Sequence, residues 1–193
     1  MQQKIKDIAD IQIGYQFRKK IEPERGGTLQ VVQIRDFDEN QSLNQEGLCR
    51  ITIDQLSEKY LVHKNDILFL ARGHRNFAVP VIDSIEGTIA ASHFFVLKMK
   101  TEKVIPEYLA WFINQAPAQG YLHNLARRGT HMPIIPKSVF ENLKVQIPDI
   151  ETQKKIVKLN TLIDKEKTLL YNLREKRALL VRSLCLKAAK EKA

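Results

Sequence analysis

The chain has 193 residues, of which 44% are hydrophobic and 27% are charged, a composition typical of folded globular proteins rather than disordered ones. Its formal net charge of +9 indicates a partner that carries phosphates, an anionic membrane surface or an acidic protein. No apolar run approaches the ~20 residues that cross a bilayer, and the N-terminus lacks the apolar stretch of a signal peptide. We therefore expect a cytoplasmic protein whose cysteines, Cys49 and Cys185, stay reduced.

Residues 1–150 are predicted to form an α+β domain with a mixed sheet, because short β-like runs alternate with turns and helical patterns. The predicted strands cover 29–34, 66–72, 79–82, 88–99 and 144–147. The second should be central, since both its faces are apolar, and Pro80 favours an edge position for the third. The predicted helices cover 106–116, 121–127 and 138–143, the last of them capped by Ser138.

Residues 151–190 are predicted to form one long helix that begins at a cap provided by Asp149 or Thr152. Apolar residues recur along it at alternating spacings of three and four, which is a heptad seam. About 40 helical residues span roughly 60 Å, which is longer than one small domain can bury, so the seam is predicted to dimerise with a second copy. Its apolar members are Ile156, Leu159, Ile163, Leu170, Leu173, Leu180 and Leu184.

Charge is distributed unevenly along the chain. Residues 151–193 carry 12 basic and 5 acidic side chains, whereas residues 1–150 carry 19 and 17. The basic face of the long helix is either a solvated surface or a contact to phosphates or to a partner, and the sequence leaves both open. Glu166 and Arg177 interrupt the seam, and we hypothesise that they face each other across an antiparallel pair and fix its register.

Basic clusters in predicted loops are the candidates for binding DNA, because loops placed by a rigid sheet concentrate binding residues. Arginine can grip the O6 and N7 atoms of guanine, and asparagine can grip the N6 and N7 atoms of adenine. Each cluster alone is more simply a solvated turn; together in a basic chain they favour nucleic acid. Their members are Arg18, Lys19, Lys20, Arg35, Arg72, His74, Arg75, Asn76, Arg127, Arg128, Thr130 and His131.

Catalytic motifs are not found in the sequence. It contains no glycine-rich phosphate loop, no Asn/Asp-Pro-Pro-aromatic tetrapeptide of amino-methyltransferases, and no histidine pair with the spacing of metal ligands. Asp66, Asp83 and Glu86 would be the carboxylates of a nuclease centre, but no lysine follows at the required close spacing. We expect neither catalysis nor metal binding by this chain.

The segment from Arg128 to Val157 resembles the end of a target-recognition domain in the specificity (S) subunit of type I restriction-modification systems. That family shows a Gly-Ser/Thr loop, a short helix, a strand ending in proline, and a Gln-x-x-Ile opening to a long helix. The segment 64–72 looks like the family's Gly-Asp-Ile-Leu strand with Asn65 in place of the glycine, and 5–14 is similar to its domain start. The counterparts of the first pattern are Gly129, Thr130, 138–143, 145–148, Gln153 and Ile156.

The resemblance implies a target-recognition domain over 1–150 and an antiparallel coiled-coil helix over 151–190. Family members usually carry two of each, so it implies a half-length subunit that dimerises and reads a gapped palindrome in double-stranded DNA. Separate subunits would supply the chemistry: DNA methyltransferase (modification) subunits with S-adenosylmethionine, and a restriction subunit that uses ATP and Mg²⁺. The alternatives are a specificity-like module of another defence system and a coiled-coil adaptor whose head binds protein.

Overall fold

The computed structural model describes residues 1–73, 75–126 and 133–191. It divides into two compact units, Met1–Gln153 and Lys154–Ala193. In chain order the strands and helices are β1 (Gln2–Lys4), α1 (Ile5–Ile8), β2 (Ala9–Ile13), β3 (Leu29–Val32), β4 (Cys49–Ile51), β5 (Ile67–Leu70), β6 (Ala78–Pro80), β7 (Thr88–Ala90), β8 (Phe94–Met99), α2 (Pro106–Ile113), α3 (Ala116–Leu125), α4 (Lys137–Glu141), β9 (Lys144–Gln146) and α5 (Ile150–Glu191).

The larger sheet of the first unit has the strand order β2-β8-β5-β6 and is antiparallel throughout. β5 is buried along its whole length, because its two faces pack against different layers. On one face Phe69 stacks on Phe140, with ring centroids 4.2 Å apart. On the other face Leu68 and Leu70 belong to the main core cluster. The predictions of a central strand within 66–72 and of an edge strand containing Pro80 are therefore confirmed.

The smaller sheet has the order β4-β3-β7, in which β3 pairs antiparallel with β4 and parallel with β7. The fold is thus α+β with mixed pairing, as predicted. The single strand predicted over 88–99 is wrong, because the chain turns at residues 91–93 and passes from one sheet to the other as β7 and β8. The strand predicted over 29–34 ends at Val32, and Ile34–Asp36 forms a 3-10 turn. Arg35 therefore lies in that turn and not at the end of a strand.

The predicted helices in the first unit are present, but their limits differ. α2 ends at Ile113 because Asn114 is fixed to β6: its Oδ1 accepts the N–H of Ala78 and its Nδ2 donates to the carbonyl of Ala78, both at 2.8 Å. α3 then begins at Ala116, before the predicted start at 121. α4 begins at Lys137 with Pro136 in the N-cap position, so the cap predicted at Ser138 is wrong.

The N-terminal segment lies beside the last strand of the first unit. β1 pairs antiparallel with β9, with Gln3 opposite Val145, and the N–H of Ile5 donates to the carbonyl of Leu143 at 3.0 Å. The elements β1, α1, β2 and β4 were not predicted, since each is at most five residues long and lacks a full period of alternation.

The long helix α5 begins at Ile150 and continues to Glu191, close to the predicted range. Asp149 caps its start: the carboxylate accepts the backbone N–H of Thr152 at 2.9 Å and its hydroxyl at 2.7 Å. Six of the seven predicted seam residues are 40–60% exposed, and these are Leu159, Ile163, Leu170, Leu173, Leu180 and Leu184. Within the described ranges, no helix is long and apolar enough to span a membrane.

Candidate nucleic-acid interface

The loop that follows β5 carries Arg72 and Arg75. Backbone hydrogen bonds to a second segment of the chain hold this loop in place. The carbonyl of Ala71 accepts the N–H of Ile135 at 2.8 Å, and the N–H of Gly73 donates to the carbonyl of Pro133 at 3.2 Å. This pairing brings the loop alongside the segment that follows 127–132. The predicted site residues Arg127, Arg128, Thr130 and His131, together with His74, lie outside the described residues.

Asn76 has a structural role that the sequence did not predict. Its Nδ2 donates to the carbonyl of Leu70 at 2.8 Å, so one of its two N–H donors is already bound to the protein's own backbone and the orientation of the amide is fixed. The bond closes the turn between β5 and β6. The neighbouring Arg75 is exposed, and its guanidinium is the group that this loop can offer to DNA.

Arg75 opens onto a small polar cleft of about 280 Å³ that sequence analysis missed. Gln41 and His123 share the cleft with Arg75 and Asn76, and Asn114 and Gln119 complete the lining. Asn114 is bound to Ala78, and Gln119 donates to the carbonyl of Ile113 at 2.8 Å. The side chains that the cleft presents to a ligand are therefore those of Gln41, Arg75 and His123.

Arg35 belongs to a turn that is followed by Phe37, which packs against the core residue Phe77. The ring centroids of Phe37 and Phe77 are 5.2 Å apart, and Phe77 follows the Arg75 loop directly. The Nε of Arg35 is 3.9 Å from the carboxylate of Asp36, an almost buried group that also accepts the N–H of Gln33 at 2.7 Å. Arg35 remains mostly exposed and available to an anion.

A second basic group, Arg18, Lys19 and Lys20, follows β2 and lines a depression of about 600 Å³ with Tyr15 and Phe17. The segment that leads to this depression can pack against the 91–93 turn only because residue 14 is glycine. A Cβ built on Gly14 would lie 2.3 Å from the carbonyl oxygen of Ala91, far inside any real contact. The close approach allows the N–H of Tyr15 to donate to the carbonyl of Ala90 at 2.7 Å.

The turn at 91–93 makes backbone contacts with both segments that carry these basic groups. Ala91 forms a bridge with Tyr15 on one side, and the carbonyl of His93 accepts the N–H groups of Ala71 and Arg72 on the other, at 2.9 and 3.2 Å. Burial lowers the pKa of His93 below its ordinary value, and the positive charge of Arg72 lowers it further. The imidazole of His93 is thus neutral at pH 7 and lies within the electrostatic influence of Arg72.

The carboxylates of Glu22 and Glu24 share the depression with the second basic group. Asp66, one of the residues weighed for a nuclease centre, accepts the N–H of His63 at 2.9 Å and closes the turn before β5. Burial raises the pKa of Asp66. The hydrogen bond from His63 and the charges of Lys98 and His63 lower the pKa, but by less than burial raises it. Among the residues that the structure describes, no group of three His, Cys, Asp or Glu side chains is placed to hold a metal ion.

Comparison with known proteins places these features in a family. A family model for the type I restriction modification DNA specificity domain matches residues 1–178. The MjaVIII type I restriction enzyme specificity subunit of Methanocaldococcus jannaschii is 25% identical over 114 residues, which are 59% of this chain and 25% of that protein.

Solved structures share the fold at low sequence identity. An S subunit of a type I restriction-modification system from M. genitalium superposes with a TM-score of 0.57 at 15% identity, over 86% of this chain and 39% of that one. The HsdS subunit from Thermoanaerobacter tengcongensis gives a TM-score of 0.62 at 16% identity, over 88% of this chain and 43% of that one. The chain therefore spans less than half the length of these relatives.

Proposed function

Because the chain belongs to the type I restriction modification DNA specificity family, we propose that it recognises duplex DNA through the surface around the 91–93 turn. The observation that supports the proposal is that this turn contacts both segments that carry basic groups. Ala91 forms a bridge with Tyr15, three residues before Arg18, and the carbonyl of His93 accepts the N–H of Arg72. Neither group adjoins the other in sequence. Positive charge on two segments that leave one turn would favour contact with a phosphate backbone.

The surface offers side chains for both kinds of DNA contact. Arg75, Gln41 and His123 are donors and acceptors in a cleft, where edges of bases in the major groove can be read. Arg18, Lys19 and Lys20 lie in an open depression with the aromatic rings of Tyr15 and Phe17, which suits contacts to the sugar-phosphate backbone. Phosphate contacts position the protein on the duplex, and base contacts give the sequence preference.

We further propose that α5 pairs with α5 of a second copy. Full burial of a leucine or isoleucine stabilises by about 1.5–3 kcal/mol, and the six seam side chains that are 40–60% exposed leave part of that energy unrealised. The seam repeats over the helix length expected of a coiled coil. In an antiparallel pair the two recognition units stand at opposite ends of the helices. The dimer then reads two identical half-sites in inverted orientation, which is a gapped palindrome.

The chain contributes no chemistry of its own in this proposal. DNA methyltransferase subunits that carry S-adenosylmethionine would modify adenine at the recognised site, and a restriction subunit that uses ATP and Mg²⁺ would cut the DNA. The paired helices would set the distance between the half-sites and would bind the modification subunits. The basic residues of α5 are available to phosphates of the spacer DNA or to those subunits.

A coiled-coil adaptor whose head binds protein is the alternative of a different class, and the near balance of 19 basic and 17 acidic residues in 1–150 supports it. Salt dependence separates the two functions. Contacts to phosphates release condensed counterions, so the logarithm of the affinity falls linearly with the logarithm of the salt concentration, by about 0.9 per contact.

The experiment is a fluorescence-anisotropy titration of a random-sequence duplex at several salt concentrations. Recognition of DNA predicts saturable binding with a steep negative slope. Absence of binding at low salt contradicts the proposed function.

A further inference from the structure

A groove lined by lysines lies along β2, apart from the loops that carry the candidate interface. Its volume is about 330 Å³. Each lysine comes from a different part of the fold: α1, the 3-10 turn Glu58–Tyr60, β8, the residue after β8, and α4. The groove is lined by Lys6, Ala9, Asp10, Ile11, Gln12, Lys59, Lys98, Lys100, Lys137 and Glu141.

The positive charges of the groove are only partly neutralised. The Nζ of Lys100 lies 2.8 Å from Asp10, and that of Lys137 lies 3.6 Å from Glu141. The lining holds no other acidic side chain and has a formal net charge of +3. Of its three remaining lysines, Lys98 also interacts with the carboxylate of Asp66, which lies outside the lining. Like charges held this close repel one another, and an anion bound between them would relieve that repulsion.

Aromatic rings connect the groove with the basic depression after β2. The Nζ of Lys59 lies 5.0 Å from the centroid of the Tyr60 ring, a cation–π contact. The rings of Tyr60 and Tyr15 are 5.2 Å apart, and those of Tyr15 and Phe17 are 4.9 Å apart, both edge to face. Because Tyr15 and Phe17 line the depression of Arg18, Lys19 and Lys20, these ring contacts link the depression to Lys59 of the groove.

We propose that the groove binds backbone phosphates of the duplex that flank the recognised bases. Lysine binds phosphate as a flexible point charge without the fixed geometry of arginine, which suits contacts that do not depend on sequence. The groove would therefore add affinity, whereas the Arg75 cleft would add discrimination between sequences. This inference rests on the proposed function, since it assigns further contacts to the same DNA.

The test compares the full chain with the triple variant Lys6→Gln, Lys59→Gln, Lys98→Gln. A matched control removes the same charge from exposed lysines outside the groove: Lys64→Gln, Lys103→Gln, Lys144→Gln. Affinity is measured against salt concentration for a random-sequence duplex and for a duplex selected from a random pool. Thermal unfolding checks that both variants keep the wild-type fold.

Loss of three phosphate contacts should reduce the steepness of the logarithmic salt dependence by about 2.7 on both duplexes, and should leave the affinity ratio between them unchanged. The control should keep the wild-type slope. If wild-type protein binds DNA and the two triple variants have equal slopes, the groove is not a phosphate site although the proposed function stands. The same conclusion follows if the groove variant binds DNA normally but no longer assembles with a modification subunit. If wild-type protein binds no DNA, both proposals fail.

Discussion

Arg75 and Asn76 are neighbours in sequence, yet the structure gives them different tasks. Both were predicted to read bases, because arginine and asparagine are the side chains that grip guanine and adenine. The exposed Arg75 keeps that role as a prediction. One N–H of the Asn76 amide donates to the carbonyl of Leu70, so substitution of Asn76 should act first on the fold.

We expect Arg75→Ala to weaken binding of a preferred duplex by about 1–3 kcal/mol with little change in the free energy of unfolding. Asn76→Ala should lower the free energy of unfolding by about 1–3 kcal/mol, because the carbonyl of Leu70 loses its partner. Urea unfolding and anisotropy titration on both variants separate the effects. An Asn76→Ala protein with wild-type stability and lost discrimination would return that residue to the base-reading group.

His93 gives the molecule a dependence on pH whose sign is fixed by its environment. Burial and the charge of Arg72 lower its pKa in the folded state below the ordinary 6.5, so the unfolded chain takes up the proton first as the pH falls. Its contribution to stability is therefore intact above about pH 6.5 and is lost as the pH falls from there toward the lowered pKa.

Wild-type protein should consequently lose more stability than His93→Gln when the pH is lowered from about 8 to about 5.5. The pKa values of Asp36 and Asp66 are raised by burial, which acts in the opposite direction. Because Asp36 and Asp66 are present in both proteins, their contributions cancel when the pH dependence of one protein is subtracted from that of the other. Equal losses of unfolding free energy in the two proteins would show that His93 titrates normally.

At the scale of single elements, Gly14 decides how β2 meets the 91–93 turn. The space for its Cβ is filled by the carbonyl groups of Ala90 and Ala91, which are backbone and cannot move aside cheaply. Gly120 is the matched control, since it lies within α3 and a Cβ there meets nothing within 4 Å.

We expect Gly14→Ala to lower the free energy of unfolding by about 2–4 kcal/mol, and Gly120→Ala to raise it by about 0.5–1 kcal/mol through its better helix propensity. Chemical denaturation measures both. A Gly14→Ala protein as stable as wild type would mean that β2 and the 91–93 turn do not approach as closely as the structure shows.

The long helix allows a test of its pairing. If Glu166 of one copy faces Arg177 of the other, Glu166→Arg or Arg177→Glu alone should weaken the dimer by about 1 kcal/mol, because each places like charges together twice. The double variant should restore it. Sedimentation equilibrium follows the dimer constant, and a double variant as weak as either single one would rule out this register.

Sequence patterns predicted the elements that carry a long or strong period and missed those governed by tertiary contacts. The all-apolar run of β5 and the heptads of α5 were found because burial on both faces, or along one stripe, leaves a direct trace in sequence. The break between β7 and β8 was missed because residues 88–99 contain no glycine or proline that would indicate a turn. The end of α2 was missed because it depends on Asn114 binding a strand far away in sequence.

The candidate site was predictable in its residue types and not in its arrangement. Basic loop residues stand out in the sequence, but the contacts of the 91–93 turn with Tyr15 and Arg72 depend on strand pairing, which no single segment encodes. The Gln41 contribution to the Arg75 cleft and the lysine groove were missed for the same reason. Their members are scattered singly along the chain, and single polar residues carry no periodic signal.

For the whole molecule, the division of charge matches the division into two compact units. A first unit with nearly balanced charge concentrates its free cations locally, around the 91–93 turn and in the lysine groove. The second unit combines a basic composition with an apolar seam. A subunit of this kind would bind its own copy through the seam and would direct its cations toward DNA or other subunits.

The central claim, that two copies each present one DNA-reading unit, is tested most directly by selection of bound duplexes from a random-sequence pool followed by sequencing. The account predicts enrichment of one short motif repeated in inverted orientation across a spacer of fixed length. A single unrepeated motif, or no enrichment over the starting pool, would contradict it.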